Sequence, residues 1–183
     1  LTYKDEKTPV IYAQCIKSNK QTTNEIDKVS VADSKELAGC NLRITDGAGK
    51  EIISWTSGNR DSVKVSVTPE DGYQNLKYSF DENGNLHVGG LFHDKEYTLT
   101  ETKPADGYVT AEAITYMLKQ KVAEDGTVTS VVNIKQKDGT YLEQEDDKTV
   151  MKDGQTHIQL LKLDKKTGQA LGGAKFVVMD SLS

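Results

Sequence analysis

Cysteine and proline are both scarce, with two and three residues in a chain of 183. Two cysteines do not make the disulfide framework that holds small secreted domains together, and nothing in the sequence fixes the separation of Cys15 from Cys40. No histidine or basic cluster adjoins either one, which argues against an activated thiol. No apolar run approaches the length of a membrane span, and no charged-then-apolar leader opens the chain. Lysine and arginine are outnumbered, 23 against 28 acids, for a net charge of −5. They are interleaved with those acids, so the clustered basic face that a nucleic acid needs is missing. His87, His93 and His157 are dispersed and lack zinc-ligand spacing. Asp81-Glu82-Asn83-Gly84-Asn85 superficially suggests a calcium loop, but its glycine is misplaced and no bidentate glutamate closes it; it reads as a hairpin turn. There is no glycine-rich phosphate loop and no nucleophile elbow. No cofactor, metal or turnover-enzyme site is expected.

What is present is β-structure and a repeat. Short β-branched or aromatic runs alternate with Gly, Asn and Asp turns, and no long amphipathic helix interrupts them. Asp46-Gly47, Glu82 to Asn85 and Glu124-Asp125-Gly126 read as tight turns. An all-β sandwich or small barrel follows. Ile26-Asp27-Lys28, ahead of Leu37-Ala38-Gly39-Cys40, recurs as Leu160-Leu161-Lys162 ahead of Leu171-Gly172-Gly173-Ala174, an offset of 134 residues from Lys28 to Lys162. A fixed period points to an array of modules. The expected division is residues 1–21 as the tail of an upstream module or linker, 22–155 as one complete sandwich, and 156–183 as the first strands of a downstream module. Within the sandwich, a hairpin near 60–85 is expected, built from Val63 to Val67 and Leu76 to Phe80.

Side chains alternate along a strand, so each strand reads by parity. Ile26 and Lys28 share a face; Tyr97, Leu99 and Glu101 share one; Met151 and Asp153 share one with Thr149. Three ionisable groups thus fall where the pattern expects apolar ones. A single charge at a strand end ordinarily reaches solvent. Three of them, on the first, middle and last strands of one repeat, point instead to groups that are paired or neutralised in the core. Cys40 shares its phase with Leu42 and Ile44 and reads as a small core hydrophobe.

Glu101-Thr102-Lys103-Pro104-Ala105-Asp106-Gly107-Tyr108 closely resembles the Glu-Thr-x-x-Pro-x-Gly-Tyr segment of CnaB-type domains, also called SpaA-type or prealbumin-like, of Gram-positive pilins and adhesins. The proline is displaced by one place. Lys35-Glu36-Leu37-Ala38-Gly39-Cys40 resembles the family's Lys-Glu-Leu-x-Gly-Ala with Cys for Ala, and Tyr97-Thr98-Leu99-Thr100-Glu101 and Val150-Met151-Lys152-Asp153 resemble its central and closing strands. The resemblance implies an immunoglobulin-like, prealbumin-like β-sandwich. It also implies an autocatalytic isopeptide bond between a first-strand lysine and a last-strand Asp or Asn, assisted by a central glutamate. Carried onto this chain, Lys28 is the nucleophile, Asp153 the acceptor and Glu101 the proton shuttle, with Asn133 as the alternative acceptor. Burial disfavours the charged forms of amine and acid, a positioned carboxylate can move the protons, and folding supplies the proximity.

The resemblance further implies a stalk or pilus module of an extracellular, cell wall-attached protein, whose partners are neighbouring modules of the same polypeptide. The alternative reading is an adhesin that binds a host protein or glycan through the 60–85 insertion, since loops on rigid scaffolds commonly carry recognition.

Overall fold

A computed structural model describes residues 21–156 and 160–177. Eleven strands follow in chain order: β1 Thr23–Ser30, β2 Asn41–Asp46, β3 Glu51–Thr56, β4 Asn59–Val65, β5 Lys77–Phe80, β6 Leu86–Gly89, β7 Glu96–Lys103, β8 Ile114–Val122, β9 Val128–Lys135, β10 Tyr141–Glu143 and β11 Lys148–Asp153. They form a four-stranded sheet, β11-β1-β6-β5, and a seven-stranded sheet, β10-β9-β8-β7-β2-β3-β4. The inner residues of both make one core: Ile26, Leu86, Val88 and Met151 from the small sheet meet Leu42, Ile44, Ile53, Trp55, Tyr97, Leu99, Tyr116, Leu118 and Val132 from the large one. The described residues form an all-β sandwich. Among the described residues no helix is long and apolar enough to cross a membrane.

The turns expected from sequence connect antiparallel neighbours. Residues 47–50 join β2 to β3, 81–85 join β5 to β6, and 123–127 join β8 to β9. In the second of these, Asp81 Oδ1 accepts from the Asn85 backbone amide at 2.9 Å and Oδ2 from its side chain at 3.0 Å. The carboxylate of the calcium-like stretch is thereby used to close a turn.

The 60–85 insertion corrects the expected hairpin. β4 pairs with β3 at the edge of the large sheet, whereas β5 pairs with β6 at the edge of the small one. The two strands do not pair with each other. Between them, Ser66 to Leu76 includes a one-turn 3-10 helix at Pro69–Asp71, and this stretch carries the chain from one layer to the other. The physical reason is that each existing sheet offered an unpaired edge. A strand that extends a sheet completes a ladder already nucleated, whereas an isolated two-stranded hairpin is marginal in water.

The stretch before the last strand resolves in the same way. β10 folds back on β9, and the Gln144 and Asp146 segment then bonds to Val132 at the sheet edge. The Glu25 amide donates to Asp147 O at 2.9 Å, where the chain crosses to the small sheet. β11 therefore runs parallel to β1, with Lys28 opposite Met151 and Ser30 opposite Asp153.

Candidate functional site

The site forms where the parallel pair β1 and β11 faces β7 across the core. Lys28 is 3% exposed, Glu101 4% and Asp153 0%. Parity places each of them inward, as its strand's apolar neighbours require: Ile26 beside Lys28, Leu99 beside Glu101 and Met151 beside Asp153. Lys28 Nζ is hydrogen-bonded to Asp153 Oδ1 and lies 3.1 Å from Glu101 Oε1. That second contact is an ion pair outside hydrogen-bond geometry, so Oε1 is buried with the Lys28 amine as its close neighbour. The other carboxylate oxygen, Oε2, accepts from the Ala111 amide at 2.7 Å. This bond ties Glu101 to the loop that follows Gly107-Tyr108 and aims Oε1 at the lysine.

The two carboxyls are driven apart. Burial pushes the Asp153 carboxyl up, and although Lys28 pulls against this, burial and the neighbouring Glu101 leave it above the usual carboxylate range. Burial acts on Glu101 too, but the Ala111 amide and the Lys28 ammonium outweigh it and hold the group below its usual range. The two carboxyls are thus shifted in opposite directions, Asp153 toward its acid form and Glu101 toward its anion, the pattern that separates acid and base roles in a shared site.

A fourth residue belongs to the cluster. Cys40 is fully buried, its thiol is free, and Sγ donates to Asp153 Oδ2 at 3.7 Å. Parity foresaw its burial but gave no sign of the carboxylate beside it. The other cysteine, Cys15, lies outside the described residues. The segment that carries Cys40 is pinned on two sides. The Leu37 amide donates to Lys28 O at 2.7 Å, and Ser57 Oγ accepts from the Cys40 amide at 3.0 Å while donating to Leu37 O at 2.6 Å. Gly58 permits this approach: its φ is +74°, and a Cβ there would come within 2.6 Å of Ala38 Cβ.

The alternative acceptor Asn133 is buried on β9 of the large sheet. Its Nδ2 has no hydrogen-bond partner, and the recorded contacts of Lys28 Nζ are Glu101 and Asp153. Lys162, the repeat counterpart of Lys28, is exposed. His157 lies outside the described residues. Among the described residues, two groups of ligand-type atoms converge within 4.8 Å, Cys40 with Glu101 and Asp153, and Glu25 with Asp81 and His87. Each already faces a lysine: Lys28 in the first, and Lys148, 2.8 Å from Glu25 Oε1, in the second.

The SpaA prealbumin-like fold domain profile matches residues 22–137, more than half of the chain. The chain belongs to this family. The SpaA-type match covers β1 to β9 and includes Lys28, Cys40, Glu101 and Asn133, while Asp153 lies beyond its end. Among solved structures, the SpaA-type chain is similar to a D312A form of BcpA, the major pilin subunit of Bacillus cereus, at 22% identity and a TM-score of 0.40 over 73% of this chain and 29% of that one. It is similar to the Bacillus anthracis TIE protein at 21% identity and a TM-score of 0.41, over 75% of this chain and 18% of that one. For the shaft pilin SpaA of Lactobacillus rhamnosus GG the identity is 14% and the TM-score 0.42, over 77% and 48% of the two chains. The chain thus spans less than half the length of each of these structures. A sequence search against curated proteins finds no match.

Proposed function

We propose that this domain is a structural module of a pilus or stalk on a Gram-positive cell surface, extracellular and attached to the cell wall through its parent chain. In this reading it is locked by an autocatalytic isopeptide bond between Lys28 and Asp153. The observation that carries the reading is the dry contact of one lysine with two carboxyls of opposite protonation tendency. Glu101 takes a proton from the Lys28 ammonium, and the free amine attacks Asp153 Cγ. Glu101 then returns its proton to the departing hydroxyl, which leaves as water, and takes the second proton from the nitrogen. An amide remains, with Glu101 as neutral acid, so atoms and charge balance. A cavity of about 80 Å³ lined in part by Lys28, Leu37, Trp55 and Ser57 is large enough to receive the released water. The chemistry happens once per chain and leaves no catalyst for turnover.

The topology gives the bond a mechanical use. Because β1 and β11 are parallel neighbours, opposed pulls on Thr22 and Gly154 load the pair in shear. A Lys28–Asp153 amide carries that load through two side chains and leaves residues 29–152 outside the force path. Neighbouring modules of the same polypeptide would transmit the load. By the loop-closure relation used for disulfides, a tie across 125 residues contributes about 5 kcal/mol.

The deciding experiment is the intact mass of the purified chain under denaturing conditions. The expected result is the sequence mass less one water. A full sequence mass in folded protein would leave an uncrosslinked sandwich with a buried charge network.

A further inference from the structure

The family pattern quoted above has alanine where this chain has Cys40, and that thiol sits against the acceptor carboxyl. Asp153 presents its two oxygens to different partners: Oδ1 to Lys28 Nζ and Oδ2 to Cys40 Sγ at 3.7 Å. A condensation treats those oxygens differently. One leaves as water, and the other gathers negative charge in the tetrahedral intermediate before it becomes the amide carbonyl. A donor aimed at the retained oxygen lowers the barrier, while a donor on the wrong oxygen does not.

We propose that Cys40 is the oxyanion donor of this site: its S–H holds Asp153 Oδ2 as the oxygen retained in the amide and leaves Oδ1, the oxygen that faces Lys28 Nζ, to depart as water. This role rests on the isopeptide reading of the site. Two features favour donation over the other chemistry a thiol offers. Burial pushes the Cys40 thiol up to about 11, so it keeps its proton at neutral pH and is a poor nucleophile toward Cγ. Its backbone is also fixed, through the Cys40 amide to Ser57 Oγ and the Ser57 amide to Cys40 O at 2.8 Å, which holds its Cα–Cβ bond beside the carboxyl. The step consumes no oxidant and leaves the cysteine unchanged.

The test compares the full chain with Cys40→Ser, Cys40→Ala and Cys40→Val, following water loss by denaturing mass spectrometry at intervals after cell-free synthesis. Serine keeps a donor, and the expected rate is at least that of the parent. Alanine and valine remove it, and the expected slowing is about fivefold, the scale of a weak sulfur donor lost from a transition state. Alanine is smaller than cysteine and valine larger, so equal slowing in both separates donation from packing. Parent-like rates in alanine or valine would overturn the role, as would a serine chain slower than alanine. A parent chain that never loses water removes the isopeptide reading and this role with it. A second measurement does not depend on the bond forming. In Glu101→Gln, the Cys40 S–H infrared stretch should lie at the lowered frequency of a hydrogen-bonded thiol and return to the free position when Asp153→Ala is added. A free S–H stretch in Glu101→Gln would refute the contact itself.

Discussion

On each face of the β1–β11 pair a lysine lies between two carboxylates, and the faces differ in water. On the inner face Lys28 meets Glu101 and Asp153, all nearly inaccessible. On the outer face Lys148 lies 2.8 Å from Glu25 and 3.2 Å from Asp27, with 35% of its side chain exposed. Lys148 is raised well above its ordinary range, first by its hydrogen bond to Glu25. For Glu25, burial is outweighed by Lys148, which leaves the group lowered; Asp27, more deeply buried and beside Glu25, is raised. Opposed carboxyl shifts therefore occur on both faces. The outer trio nonetheless remains a solvated ion pair, because water keeps its lysine charged and would carry any condensation back toward hydrolysis. In the proposed reading it is burial, rather than composition, that separates a reactive triad from a salt bridge.

The largest test of this contrast is to remove the inner chemistry. Glu101→Gln keeps both bonding partners but no base, so its mass should equal the sequence mass. Pulled end to end, the parent should show almost no unfolding extension, whereas Glu101→Gln should release roughly 430 Å, from the 125-residue separation of the bonded pair. Its melting temperature should fall by on the order of 15 °C. A parent that extends like the variant would place inner and outer trios in the same class.

The bond-forming rate should depend on pH in a way that the outer trio cannot imitate. Only the acid form of Asp153 loses water, so the rate should fall as pH rises through that group's raised value. It should also fall in acid once Glu101, held low, is protonated and no longer a base. Mass spectra of freshly synthesised chain across pH would trace this bell. A rate that rises steadily with pH would mean that amine deprotonation alone is limiting.

On the outer face, Lys148→Met should cost about 1 kcal/mol or less, because solvent screens the pair, and should leave the water loss intact. The sign is set by the shifts. The raised Lys148 contributes stability that is complete below its unfolded value of 10.5 and is lost as pH rises through its folded value. Glu25 contributes above 4.5 and loses this as pH falls through its lowered value. Asp27 acts oppositely, since protonating it on acidification relieves a destabilised anion. Thermal melts of parent and variant should therefore differ most near neutral pH and converge in strong base.

The smallest expected effect is that of Asn133→Ala on the mass deficit, which should remain one water. Loss of ammonia in the parent, abolished by this substitution, would instead make Asn133 the acceptor and move the reaction to the large sheet.

Much of this was legible in the chain. Alternation alone put Lys28, Glu101 and Asp153 on inward faces, because a strand has two sides and their neighbours are Ile26, Leu99 and Met151. The turns at Asp46-Gly47, Glu82 to Asn85 and Glu124-Asp125-Gly126 were legible from local turn residues; Gly84 and Gly126 adopt a positive φ, whereas in the first turn it is Gly49, two places past the glycine that marked it, that does so. The pairing of the 60–85 insertion was not legible. β4 and β5 carry ordinary strand patterns, and nothing in such a pattern names the partner. Nor did parity reveal the contact of Cys40 with Asp153, since it reports depth in the core and not which buried group lies opposite.

The sequence by itself determined the all-β class, the family, and the inward phase of three ionisable side chains, because these depend on composition, short motifs and the two-residue period of a strand. Tertiary structure alone decided that β11 lies parallel to β1, that Glu101 reaches Lys28 from the facing sheet, and that a cysteine lies against Asp153. Those relations join residues up to 125 positions apart. They are set by which sheet edges remain open and how two layers share one core, quantities that no local stretch of the chain contains.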